Sequence, residues 1–226
     1  MTRNMFVDIK NVSKNLTDFF FYYLNISFEK GEIIGLVGEN GAGKTTLLNL
    51  ISGILKPDKG QILLSSNNIG YCFDALPEPE NLTIEQLNTI FTGLLAVWDS
   101  DTYFSFVDEF KLPKGKPIGV FSKGMKMQLN ISITLSHNPT LLLLDEVTAG
   151  LDPIVRRTVL NTIKEYAISS ECIVIMTTHN LEDISDICNR LILLNNGSIL
   201  LDDNFEDKSS KEIELIFRKT LGYGDM

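Results

Sequence analysis

The spacing of hydrophobic and polar positions changes several times along the chain, and each change marks an element. Residues 32–38 (E-I-I-G-L-V-G) form a short apolar run ending in glycine, as a buried strand does. A glycine-rich turn follows. Residues 45–55 (T-T-L-L-N-L-I-S-G-I-L) then show helical apolar spacing, which stops at Lys56-Pro57 because proline disfavours helix in the residue before it. Residues 140–145 (T-L-L-L-L-D) and 172–178 (C-I-V-I-M-T-T) are continuous apolar runs bounded by polar residues. Such runs suit strands buried on both faces of a parallel sheet. Residues 153–168 between them read as a crossover helix, and Asn196-Gly197 marks a hairpin turn between two apolar arms.

The middle of the chain follows a different period. Ile84, Leu87, Phe91, Leu94, Leu95 and Trp98 mark one face of a helix over residues 83–98, with Thr83 and Gln86 as its capping box. Residues 103–110 give a second helical pattern, ended by Pro113. Residues 75–135 therefore read as a helical insertion in an α/β core. A last amphipathic helix carries Ser209 and Glu212 as its cap and Ile213, Ile216, Phe217 and Leu221 as its face. The aromatic stretch 19–28 (F-F-F-Y-Y-L-N-I-S-F) is too short to span a bilayer and reads as a buried or edge strand.

Composition narrows the function classes. The chain has 226 residues, 44% hydrophobic, which suits one compact unit with a smaller subdomain. A formal net charge of −9 argues against a nucleic-acid partner, because phosphate neutralisation needs clustered Lys and Arg. Cys72, Cys172 and Cys188 are odd in number and show no C-x-x-C spacing. Free thiols in a reducing compartment are expected, with neither a disulfide framework nor a zinc site. The first ten residues lack the apolar core of a signal peptide.

The turn after the first apolar run carries the strongest chemical signal. Gly38, Glu39, Asn40, Gly41, Ala42, Gly43, Lys44 and Thr45 fit G-x-x-x-x-G-K-[ST] between a predicted strand and a predicted helix. Glycines let such a loop wrap until its N–H groups point inward at an anion, and the helix behind it presents its positive end to the same anion. In this motif Lys44 reaches the outer phosphates of a nucleotide, Thr45 gives its hydroxyl to Mg²⁺ and Thr46 touches an inner phosphate. No N-K-x-D is present, so a guanine-specific GTPase is not indicated. L-L-L-L-D-E at 141–146 places Asp145 at the end of a buried strand, at the mouth of a parallel sheet. Asp145 can hold Mg²⁺, while Glu146 points elsewhere and can orient and polarise an attacking water.

With the phosphate loop, the D-E pair and F-S-K-G-M-K at 121–126, the chain resembles the ATP-binding subunit of an ABC transporter. The resemblance runs from Asn11 to Leu200 in order and spacing. It implies an α/β fold: a P-loop NTPase core with a mostly parallel sheet, an N-terminal antiparallel β subdomain and a helical subdomain insertion. The expected division is a nucleotide-binding core at 1–74 and 136–205, a helical subdomain at 75–135 and a C-terminal helix at 206–226.

The resemblance also implies roles. F-S-K-G-M looks like the family's signature motif, commonly L-S-G-G-Q. There Ser122, Lys123, Gly124 and Met125 would meet, in trans, the γ-phosphate of ATP held by a second subunit. V-T-A-G-L-D looks like the segment whose Asp152 bridges the two sites, and His179 looks like the switch histidine that contacts the γ-phosphate. His137 has no such context and is expected to be structural. The implied cofactors are ATP and Mg²⁺. The implied partners are a transmembrane permease in a separate chain and a second ATP-binding subunit, which would put this chain on the cytoplasmic face of the cell membrane. The S-K-G-M-K variant is similar to subunits that export drugs, bacteriocins or peptides. The rival readings are a non-transport ATPase of the same family and an ATP-sensing module with little hydrolysis.

Four positions depart from the family pattern. Asp74 stands where a glutamine usually contacts Mg²⁺ or the attacking water. Leu16 stands where an aromatic usually stacks on adenine, so Phe19 or a neighbour is expected to substitute. Lys123 and Met125 replace a glycine and a glutamine; Lys123 still offers its N–H, but Met125 cannot donate a side-chain hydrogen bond.

Overall fold

A computed structural model describes residues 5–16, 19–73, 79–204 and 209–220. Two sheets organise them. The first is antiparallel: β1 (Met5–Leu16) lies between β2 (Phe19–Glu29) and β4 (Lys59–Leu64). The second contains β3 (Ile33–Val37), β5 (Ile69–Phe73), β6 (Leu141–Asp145), β7 (Ile173–Thr177), β8 (Arg190–Asn195) and β9 (Ser198–Asn204). Its order is β5-β6-β7-β3-β8-β9, parallel except for β9. The aromatic stretch is thus an edge strand, with Phe21, Leu24 and Phe28 buried and Phe20, Tyr22 and Tyr23 exposed.

Seven α-helices, α1 (Lys44–Ile51), α2 (Ile84–Leu94), α3 (Ser100–Glu109), α4 (Lys123–Leu135), α5 (Pro153–Ser170), α6 (Leu181–Ile187) and α7 (Ser210–Thr220), and a short 3-10 turn at Ile118–Val120 complete the described elements. The apolar runs are continuous because alternate residues of each strand face different cores. On β6, Leu142 and Leu144 join a core with α4, α5 and α6, while Leu141 and Leu143 join a second core with α1, β1 and β2. Residues 33, 174 and 176 follow the first side, and 34, 173 and 175 the second.

Local chemistry sets most element ends. Asn196 and Gly197 have φ of 45° and 73°, the positive pair that a tight two-residue hairpin needs, and β8 and β9 pair across them. Thr83 and Gln86 form the expected capping box of α2. Ser209 and Glu212 cap α7 reciprocally, and Ile213 is fully buried under it. Leu221, expected on that face, lies outside the described residues.

Two helices end earlier than their apolar spacing predicts. The first stops at Ile51 rather than Leu55, because Gly53 adopts φ 80° and its N–H turns back to the Leu50 carbonyl. The second stops at Leu94. Trp98 leaves the helix, stacks on Phe91 at 5.0 Å and donates its indole N–H to Asn88 Oδ1 at 2.8 Å. The third begins at Ser100, ahead of the expected Tyr103, because Asp99 caps it.

All three cysteines are free and buried; burial pushes the Cys172 thiol up to about 12 and Cys188 also up, so both stay protonated and unreactive. Among the described residues no helix is long and apolar enough to cross a membrane.

Candidate functional site: a phosphate cradle at the mouth of the parallel sheet

The loop between β3 and α1 is held from both sides. The Ala42 N–H donates to the Glu39 carbonyl, and the Gly197 N–H reaches the Ala42 carbonyl from the β8–β9 turn. Gly43 caps α1 with φ 107°, and a Cβ there would stand 2.2 Å from Phe19 Cζ. Only glycine fits, and Phe19 lies against the cradle. Lys44 opens α1 with its side chain almost fully buried, and its ammonium donates to the Gly38 carbonyl at 2.8 Å and the Glu39 carbonyl at 3.1 Å. Burial lowers the Lys44 pKa, while Glu146 and Asp145 act in the opposite direction. An anion in the loop would meet a desolvated cation and the N-terminus of α1 together.

Strand order brings the carboxylates to this loop. β7 lies between β3 and β6, so the end of β6 faces the start of α1 across one strand. Asp145 accepts from Thr45 Oγ1 at 2.8 Å and from Thr177 Oγ1 at 2.6 Å. The Thr45 hydroxyl and the Asp145 carboxylate are hard oxygen donors side by side, which suits Mg²⁺. No cluster of three or more His, Cys, Asp or Glu ligands occurs among the described residues.

Glu146 is turned away from its neighbour by the backbone. It adopts φ 56°, and its N–H is held by the Thr177 carbonyl at 3.2 Å and hydroxyl at 3.1 Å. Its carboxylate then points to His179, whose Nε2 is 3.1 Å from Glu146 Oε1. The His179 side chain is 56% exposed and the Glu146 side chain 24%, so the pair faces the open mouth of the sheet.

The F-S-K-G-M segment leads into the start of α4. Ser122 caps α4, its Oγ accepting from the Met125 N–H at 3.2 Å. The first turn of α4 contains no acidic residue, so its positive end is uncompensated by side-chain charge. Gly124 packs on Val155 of α5, and the Lys123 side chain lies along Gly150. Asp152 caps α5 through Oδ1, which accepts from the N–H groups of Ile154 and Val155. Signature and V-T-A-G-L-D segments therefore abut within one chain. Leu16 pairs with Phe19 across β1 and β2. Asp74 lies outside the described residues. His137 is tied to Asn68, Nδ1 to Oδ1 at 2.9 Å, and is half-buried.

Sequence reasoning missed Thr177, which grips both Asp145 and Glu146. It also missed Thr148, Thr178 and Asp183, which form a buried polar group completed by the partly exposed Arg156. The only sequence signal for Thr177 is its place at the end of an apolar run, before His179. Asp183 has no signal beyond being an acidic residue in a short helix.

The family model described as ABC transporter matches residues 22–149. The ABC transporter ATP-binding protein YtrB of Bacillus subtilis is 33% identical over 186 residues, 78% of this chain and 64% of that protein. The ABC transporter ATP-binding protein NatA of the same organism is 27% identical over 247 residues, 97% of this chain and 95% of that protein. This chain thus spans somewhat under two thirds of YtrB and nearly all of NatA. Among solved structures, a nucleotide-free ATP-binding cassette from an ABC transporter superposes with TM-score 0.80 at 21% identity, covering 98% of this chain and all of that one. A dimeric post-hydrolysis cassette bound to ADP and Pi gives TM-score 0.76 at 21% identity, covering 90% of this chain and 99% of that one. With a family model matched over more than half of its length, the chain belongs to the ABC transporter family.

Proposed function

We propose that the chain is a nucleotide-driven clamp that powers a separate transmembrane permease. The observation that carries this is the convergence of Lys44, Thr45–Asp145 and Glu146–His179 at one mouth of the sheet. ATP binds with its phosphates in the 38–45 loop. Lys44 exchanges its carbonyl partners for the outer phosphates, Thr45 and Asp145 hold Mg²⁺, and Thr46 meets an inner phosphate. Mg²⁺, when bound, draws charge from the β- and γ-phosphate oxygens. Glu146 orients and polarises the attacking water, and His179 steadies its carboxylate and reaches the γ-phosphate. Asp74, at the usual glutamine position, is proposed to approach the metal or the water.

The second half of the site is proposed to come from another subunit. Ser122 with the Lys123, Gly124 and Met125 N–H groups forms an anion-seeking helix start, and it would cap ATP held by a head-to-tail partner. Asp152 then lies at the junction. Closure drags the permease between conformations, and product release reopens the pair. The 75–135 region is the proposed docking subdomain. Support comes from a groove of about 720 Å³, lined by Tyr71, Phe91, Leu95, Val97 and Ile133. The S-K-G-M-K variant supports export of a drug or peptide, and the permease would hold this chain at the cytoplasmic face of the membrane.

Phosphate release from the purified chain tests the proposal. Wild type should turn over, Glu146→Gln should not, and Glu146→Gln should form an ATP-dependent dimer by light scattering. A persistent monomer at saturating ATP would remove the two-subunit site. Tight ATP binding with no turnover, even beside a permease, would leave an ATP-sensing module instead.

A further inference from the structure

A buried carboxylate that the chemistry above does not use ties together the loops that perform it. Asp183, in α6, has no exposed surface. Its Oδ2 accepts from Thr148 Oγ1 at 2.6 Å and from Thr178 Oγ1 at 3.0 Å, and its Oδ1 accepts from Arg156 Nε. Each partner belongs to a different part of the machinery. Thr148 is in V-T-A-G-L-D, between Glu146 and Asp152. Thr178 immediately precedes His179. Arg156 is in the first turns of α5, the helix that Asp152 caps. Thr178 Oγ1 also accepts the Asn180 N–H, so the His179 turn is pinned on both sides of the imidazole.

A charge at zero exposure persists only where its lone pairs are matched. Here one guanidinium supplies the counter-charge and two threonine hydroxyls supply directed donors. Apolar side chains would fill the same volume with no desolvation penalty, so this arrangement contributes geometry more than stability. Both hydroxyls converge on one oxygen, which fixes Thr148 relative to Thr178; the two Oγ1 atoms are 3.4 Å apart. The V-T-A-G-L-D segment cannot shift far without breaking either a buried charge-assisted hydrogen bond or the His179 turn.

We propose that Asp183 is a positioning residue that locks the V-T-A-G-L-D segment to the His179 turn. Glu146, His179 and Asp152 then move as one unit, and arrival of the second subunit at Asp152 is felt at Glu146–His179. The Asp152 part rests on the proposed head-to-tail dimer; the Glu146–His179 part stands on this chain alone.

Asp183→Asn tests the lock, because it keeps size and one oxygen while removing the charge. The expected result is a split. The kcat for phosphate release falls at least ten-fold, KM and ATP affinity stay within two-fold, and the ATP-dependent dimer of the Glu146→Gln background weakens at least ten-fold. Asp183→Glu should recover part of both losses. Thr148→Val removes a single hydroxyl at constant shape and should give the same split with smaller size; it decides the matter if Asp183→Asn does not fold. The proposal is overturned if the folded variants keep kcat and dimer affinity within two-fold of the parent, or if kcat falls only as the folded fraction falls. A wild-type chain without turnover would count against the functional reading instead, and the dimer measurement would still decide this one.

Discussion

His179 Nε2 lies 3.1 Å from Glu146 Oε1, although the two residues sit at the ends of different strands. The contact exists because β6 and β7 pair in register, Asp145 opposite Thr177, so Glu146, one residue past β6, and His179, two residues past β7, come to the same end of the sheet. The left-handed backbone of Glu146 then turns its carboxylate toward the imidazole and leaves Asp145 to the Thr45 and Thr177 hydroxyls. Division of labour between adjacent carboxylates follows from one backbone angle.

His179→Ala should therefore lower kcat by about 10²–10⁴-fold, the range for loss of a positioned proton-transfer group. KM for ATP should change little, since the cradle contacts are untouched. Steady-state phosphate release over an ATP range measures both, and a KM effect larger than the kcat effect would assign His179 to binding.

Lys44→Ala removes the desolvated cation of the loop. Charge-assisted hydrogen bonds are worth about 1.5–3 kcal/mol each, so ATP affinity should fall by roughly two orders of magnitude. Titration with a fluorescent ATP analogue reads this directly. Unchanged affinity would mean that the phosphates sit elsewhere.

Gly43→Ala should cost about 1–3 kcal/mol of stability, because alanine is strained at φ 107° and its methyl would overlap Phe19. Adding Phe19→Ala should return most of the steric part and leave the backbone part together with the 2.9 Å approach to Phe21 Cζ. Urea unfolding of the single and double variants separates the two. The same Phe19→Ala change should weaken ATP binding if Phe19 supplies the aromatic surface that Leu16 lacks.

The pH dependence of stability should carry a His137 component. Burial holds the His137 imidazole below its ordinary 6.5. The unfolded chain then binds this proton first as pH falls, so stability drops from near the unfolded value down through the folded one and levels below it. Above the ordinary value the contribution is constant. His137→Gln should flatten the fall in Tm between about pH 7 and 5, measured by differential scanning calorimetry. An unaltered slope would place the acid sensitivity in other groups.

Much of this was legible from residues alone, for reasons that differ from one element to another. The phosphate loop was legible because its chemistry is contiguous: glycines, lysine and threonine act within one turn between a strand and a helix. The capping box of Thr83 and Gln86 and the Asn196-Gly197 hairpin were legible for the same reason. The early ends of the helices at Ile51 and Leu94 were not, since apolar spacing continues past both points. There a positive-φ glycine and the packing of Trp98 on Phe91 outweigh the periodic pattern.

By itself the sequence determined which segments are buried strands, where the anion-binding turn lies and which residues carry charge near it. These depend on neighbours within a few positions, where backbone geometry and apolar period dominate. Only the tertiary structure decided that β7 would separate β3 from β6. That order lets Thr177 grip Asp145, lets His179 meet Glu146, and lets Asp183 gather Thr148, Thr178 and Arg156 into one polar cluster. Such contacts join distant segments through strand order and shared desolvation, and no spacing along the chain encodes them.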